Sequence, residues 1–154
     1  MGGKVYAIHS TAVGGKPLMP LERGVLEAGR GLVGDRYYLG TGTLSKRLIG
    51  KSGVDITLIE SEEIEQFNHT HNLSIGVGEL RRNIVTSGVR LNDLIGVTFS
   101  VGKTTLEGVR SKMYKQVTIR IYIYKSAHPT PETGPRLFVG DQTPTSTVGA
   151  SEIW

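Results

Sequence analysis

Apolar and polar residues alternate along much of this chain, and the alternation predicts short strands more often than helices. Lys4 to Ser10 alternates around Val5, Ala7 and Ile8 and reads as a first strand. Gly14-Gly15-Lys16-Pro17 then turns the chain and sets Lys16 at a loop tip. Gly24 to Ala28 resumes a short strand, and Gly29, Gly31 and Gly34 mark sharp changes of direction after it. Val54 to Ile59 is a further strand. Ser61 is the expected N-cap of the one short helix, with Glu62 and Glu63 in its first turn, where the helix dipole favours anions. Ile64 and Phe67 face the core, and the helix ends between Asn68 and Asn72.

Ile84-Val85 opens the next strand. Val89 to Ile95 leads to a hairpin in which Val97–Val101 and Thr104–Val109 meet about a Gly102-Lys103 turn. Val117 to Tyr124 alternates almost throughout and reads as a strand with one buried face. Leu137 to Asp141 is the expected last pairing strand. Together these elements predict a mainly β fold of the β-rich α+β kind: a barrel-like, mostly antiparallel sheet with one short helix.

Composition adds three points. With 154 residues and 38% hydrophobic content, a single domain spanning 1–154 is expected. The 21 glycines follow no collagen-like period and fit many tight turns. The absence of cysteine removes disulfides, thiolate ligands and thiol nucleophiles. No apolar run reaches membrane-span length and no signal-peptide pattern opens the chain, so the expected location is the cytoplasm. Charge is uneven: residues 1–53 hold eight Lys/Arg against three Asp/Glu, and 54–110 hold five against eight. The basic N-terminal third points to an anionic small molecule or nucleic acid.

Candidate chemistry centres on Gly78-Glu79-Leu80-Arg81-Arg82-Asn83, where guanidinium and carboxamide groups stand at the entrance of an apolar run. Arg offers five rigid donors matched to phosphate or carboxylate oxygens. An exposed arginine pair at a turn is the other reading. Asp35-Arg36 is either a local ion pair or an arginine anchored by its neighbour. Lys16 is either a solvated turn lysine or a second cation for the same anion. Tyr37 to Gly53, with Lys46, Arg47 and Lys51, is either a basic flap or a surface loop. Gly29-x-Gly31-x-x-Gly34 matches a dinucleotide fingerprint as a string, but no βαβ unit follows, and that reading is rejected. His69 and His71 read as helix-end histidines, and no metal site is expected.

In order and spacing, residues 4–110 resemble the MOSC domain family, named for the C-terminal part of molybdenum cofactor sulfurase. The likeness rests on Gly31-Leu32-Val33-Gly34-Asp35-Arg36, Gly40-Thr41-Gly42-Thr43-Leu44-Ser45 and Val54-Asp55-Ile56-Thr57-Leu58-Ile59-Glu60. It continues through Gly78 to Val85 and the strand closing on Leu106-Glu107-Gly108-Val109-Arg110. The resemblance implies a barrel-like β domain that binds the molybdenum cofactor, molybdopterin, or handles sulfur with a donor or acceptor protein. It also implies Lys16, Arg36, Arg81 and Asn83 as cofactor-binding residues, and Asp35 is counted with them as the carboxylate that fixes the orientation of Arg36. The family's cysteine should follow the Gly-Val-Arg strand, where this chain reads Ser111-Lys112-Met113-Tyr114-Lys115-Gln116. None of these can carry a persulfide, so anion recognition survives and sulfur transfer does not.

Residues 111–154 depart from the family pattern, and four of the six prolines lie between Pro129 and Pro144. An active enzyme of the same family, with a cysteine-free metal site at Ser111, is one alternative. Another is a basic barrel that stacks nucleic acid on Tyr37, Tyr38, Tyr122 and Tyr124, ranked below the small anion. An assembly module is the fourth, a swapped or edge-paired homodimer built through the tail or a free strand.

Overall fold

The computed structural model describes residues 2–27, 29–49, 56–102, 104–110, 122–127, 136–137 and 147–149, the last three segments, Leu48 and Arg110 by backbone alone. In chain order it runs β1 (Lys4–Ser10), β2 (Met19–Leu21), β3 (Arg23–Glu27), β4 (Gly31–Leu32) and the one-turn helix α1 (Ser45–Leu48). Next come β5 (Ile56–Glu60), α2 (Ser61–His71), β6 (Ile84–Ser87) and a 3-10 turn at Leu91–Leu94. The hairpin β7 (Thr98–Val101) and β8 (Thr104–Arg110) follows, then β9 (Tyr122–Ala127), β10 (Arg136–Leu137) and β11 (Thr147–Gly149).

One eight-stranded sheet has the order β10-β7-β8-β9-β5-β6-β1-β2, and a second has β11-β3-β4. The mainly β expectation is met, and seven of the nine described pairings are antiparallel. The expected barrel differs from what is observed: among the described residues no pairing joins β2 to β10, and the sheet is open. Two pairs are parallel, β5 with β6 and β7 with β10. The first arises because α2 carries the chain from the end of β5 back to the start of β6.

The open end at β2 has a local cause. His9 gives its N–H to the Asn83 carbonyl at 2.7 Å, and its own carbonyl accepts from the Asn83 side chain. It therefore stands opposite Pro20 in a non-hydrogen-bonded pair, which turns the Pro20 backbone outward. Proline has no N–H to present there.

Alternation sorts the side chains into two clusters. Val5 and Ile8 of β1, Leu26 and Leu32 from the small sheet, Ile56 and Leu58 of β5, and Phe99, Val101 and Leu106 of the hairpin share the main core. Ile59 and Val85 point the other way and meet Ile64 of α2, with Phe67 packed alongside. Both faces of β5 are thus covered, which explains why all five of its residues are buried.

Gly108 shows how closely the hairpin sits on the 3-10 turn. A Cβ added there would lie 1.9 Å from the Leu94 carbonyl oxygen, and Gly108 also exchanges backbone bonds with Gly96 and Val97. Backbone cannot swing aside as a side chain can. Gly108→Ala is expected to cost roughly 3 kcal/mol, the upper end of overpacking, read as a fall in the denaturation midpoint.

The helix begins one residue away from the reading above. Ser61 is the first helical residue and Glu60 occupies the cap in extended conformation, with no side-chain cap bond. Glu60 is held inward instead, its Oε1 accepting the Leu91 N–H at 2.6 Å. Burial pushes the Glu60 carboxyl upward; the Leu91 bond opposes this, Glu63 and Glu62 add to it, and Arg90 opposes it. A raised folded value means stability fully present below the ordinary 4.5 and lost as pH rises through the folded value. Glu60→Gln keeps the acceptor without the charge. It is expected to melt higher than the wild type at neutral pH, and the gain should vanish below 4.5 in a melting-temperature series.

Among the described residues no helix is long and apolar enough to cross a membrane.

Candidate functional site

The end of β1 carries three consecutive buried residues, Ile8, His9 and Ser10, where simple alternation would expose one. The reason is that loops close over both faces. Residues 11–18 are stitched to 35–42: Arg36 N–H donates to the Thr11 carbonyl at 2.6 Å, Gly14 N–H to Thr41, and Thr41 Oγ1 to Ala12.

Asp35 and Arg36 are the buried hub of this stitching. Their side chains are each 3% exposed and ion-paired at 3.1 Å. Asp35 also accepts from Ser10 Oγ and from the N–H groups of Thr11 and Tyr37. Arg36 lies over the Tyr37 ring and sends its second nitrogen to the Arg81 carbonyl at 3.1 Å. Of the two readings, the anchored arginine is what is observed.

On the opposite wall, α2 ends at Asn72 in left-handed conformation. The Asn68 carboxamide then grips Ile75 through both its N–H and its carbonyl at 2.9 Å. Glu79 accepts the Gly76 N–H at 2.8 Å and shapes the following turn. Gly78 passes against the His9 ring so closely that an added Cβ would sit 3.0 Å from Nε2. Arg81 follows at φ 60°, a region that disfavours side chains. Its N–H donates to Gly78, its carbonyl accepts from Arg36, and its guanidinium donates to the Lys16 carbonyl at 2.5 Å. Three contacts fix a residue that would otherwise avoid this conformation.

Between these walls lies a cleft of about 490 Å³, lined by His9, Pro17, Leu18, Pro20, Gly78, Glu79 and Arg81. Two prolines and a leucine form the apolar part, with one cation and one carboxylate. His9 Nδ1 is buried with no hydrogen-bond partner among the described residues, and burial pulls the imidazole below its usual range.

The five residues singled out from the sequence thus meet in one neighbourhood, in different roles. Arg81 lines the cleft, and Lys16 sits exposed at the adjoining loop tip, giving its carbonyl to Arg81. Asp35 and Arg36 are buried behind them. Asn83 does not reach a ligand's ring edge as the resemblance implies. Its Oδ1 accepts from Thr57 Oγ1 at 3.0 Å, its Nδ2 donates to the His9 carbonyl, and 1% of it is exposed. The chain matches no protein-family model, no curated protein and no solved structure.

The rings proposed to stack bases are engaged where they are described. Arg36 covers Tyr37, and Arg30 covers Tyr38 at 3.9 Å while the Tyr38 hydroxyl donates to Glu27. Ser111, and Gly50 to Asp55 with Lys51, lie outside the described residues. The basic loop includes the short helix α1. Sequence reasoning missed His9 and Glu79 as cleft residues. The available signal for His9 was a histidine within an apolar strand end, followed by a glycine turn.

Proposed function

We propose that this chain is a MOSC-type domain, acting in the cytoplasm, that binds a phosphorylated pterin such as molybdopterin, or a related phosphorylated anion, without cysteine-based sulfur transfer. The observation that carries the reading is Arg81: the Lys16 carbonyl holds its guanidinium at the cleft, and two further contacts hold its main chain at an unfavourable φ. Strained backbone that the surroundings hold in place is a recurrent mark of binding sites. The apolar walls from Pro17, Leu18 and Pro20 suit a flat ring, and the guanidinium suits its phosphate. The family's barrel-like sheet belongs to the same proposal.

The donor set fits the anionic end of the cofactor better than its metal. Arg81 and Lys16 are cations for phosphate, but the chain has no thiolate to ligate molybdenum. When bound, the cofactor would supply metal-centred chemistry; the residues here bind and orient its pterin phosphate. Calorimetric titration with molybdopterin and with inorganic phosphate tests the reading. Saturable binding that Arg81→Ala weakens roughly a hundredfold is expected, and no binding of either probe by the wild type would defeat it.

A further inference from the structure

We propose that His9 is a ligand-binding residue of this cleft, donating its Nε2–H to an oxygen of the oxyanion that Arg81 holds. This rests on reading the cleft as an anion site and names a second recognition group within it. Among the described residues His9 Nδ1 is sealed from solvent and has no hydrogen-bond partner. An orphaned buried N–H is rarer and costlier than an unused lone pair, so the ring proton resides on Nε2.

Nε2 stands on the Gly78 side of the ring, and Gly78 and His9 line the same cleft. Gly78 carries no Cβ to crowd that ring edge. Adding one would place a carbon 3.0 Å from Nε2 and 3.1 Å from Cδ2. The backbone that carries the ring is held from behind, because the His9 N–H and carbonyl are both bound to Asn83. Asn83 therefore acts through His9, as Arg36 acts through Arg81.

Protonating the ring would add an N–H at the sealed Nδ1. That agrees with the imidazole being held below its usual range by burial. The charged groups around it are Glu79 and Arg81 from the facing turn, Lys16 from the adjoining loop and Asp35 through Ser10. Glu79 is tied to the Gly76 N–H and keeps one wall negative. The ligand class is accordingly a flat body with an oxyanion end, held where Arg81 and His9 line the cleft.

The test combines ligand-free nitrogen NMR of the imidazole with calorimetric titration of inorganic phosphate and of molybdopterin into the wild type, His9→Leu and His9→Gln. An Nε2–H tautomer is expected, with binding weakened at least about tenfold in His9→Leu. His9→Gln, whose amide can reach the Nε2 position, should stay within about threefold of the wild type. Gly78→Ala, whose added carbon meets the His9 ring first, should also weaken binding. An Nδ1–H tautomer overturns the proposal whatever binds. Wild-type affinity in His9→Leu, alongside weakened binding in Arg81→Ala, overturns it while leaving the anion site intact. If the wild type binds neither probe, both readings fall. Should His9→Leu not fold, the tautomer and the Gln and Gly78 variants decide.

Discussion

Asp35→Ala is expected to destabilise the fold by about 3–5 kcal/mol, the range found when one partner of a buried ion pair is removed. The cost arises because Arg36 would remain as an unpaired charge with 3% of its side chain exposed. The Thr11 and Tyr37 N–H groups and Ser10 Oγ would lose their acceptor as well. For a domain of this size the melting temperature should fall by roughly 6–20 °C. Asp35→Ala combined with Arg36→Met removes both charges together and should recover a large part of the loss. That double variant would nonetheless bind phosphate ligands weakly, because nothing then holds the Arg81 carbonyl. Losses below about 1 kcal/mol in both single variants would place the pair with exposed surface bridges and remove its role as hub.

Arg81 supplies the second large effect, and here stability and binding should part company. Arg81→Ala and Arg81→Gly both remove the guanidinium, and each should weaken phosphate-ligand binding roughly a hundredfold. Their stabilities should differ. Alanine inherits φ 60° and its strain, which for a residue with a Cβ is about 1–2 kcal/mol, whereas glycine adopts that conformation freely. The glycine variant is therefore expected to melt above the alanine variant while binding no better. Arg81→Lys keeps the charge but not the fork and should fall between wild type and alanine in affinity. Equal melting of the glycine and alanine variants would mean that φ 60° carries no strain at this position.

Much of the fold was legible because alternation is a local signal. Lys4–Ser10, the Thr98–Val101 and Thr104–Arg110 hairpin, and the helix through Ile64 follow from residue order alone. The cap was not, because what draws Glu60 inward is the Leu91 N–H, far along the chain. The same holds for Asn83. Its residue type suggests a ligand contact, but its partners Thr57 and His9 become visible only once β1, β5 and β6 lie side by side.

The last segment, rich in proline and threonine, is expected from its sequence to pair through Leu137 to Asp141; a later strand, Thr147–Gly149, also pairs, with Arg23–Val25 at the other end of the sequence. Tyr122–Ala127 runs beyond the strand expected to end at Tyr124, and residues 117–121 lie outside the described residues. Leu137 pairs as expected, in parallel with β7, while 138–141 also lie outside them.

The outward-facing Pro20 has a consequence for behaviour in concentrated solution. Sheets grow into fibrils when a bare rim of N–H groups captures a stranger's backbone, and here the rim is three residues long with its middle donor missing. Pro20 also lines the neighbouring cleft, so the residue that withholds a donor from a stranger's strand is at the same time a wall of the candidate site.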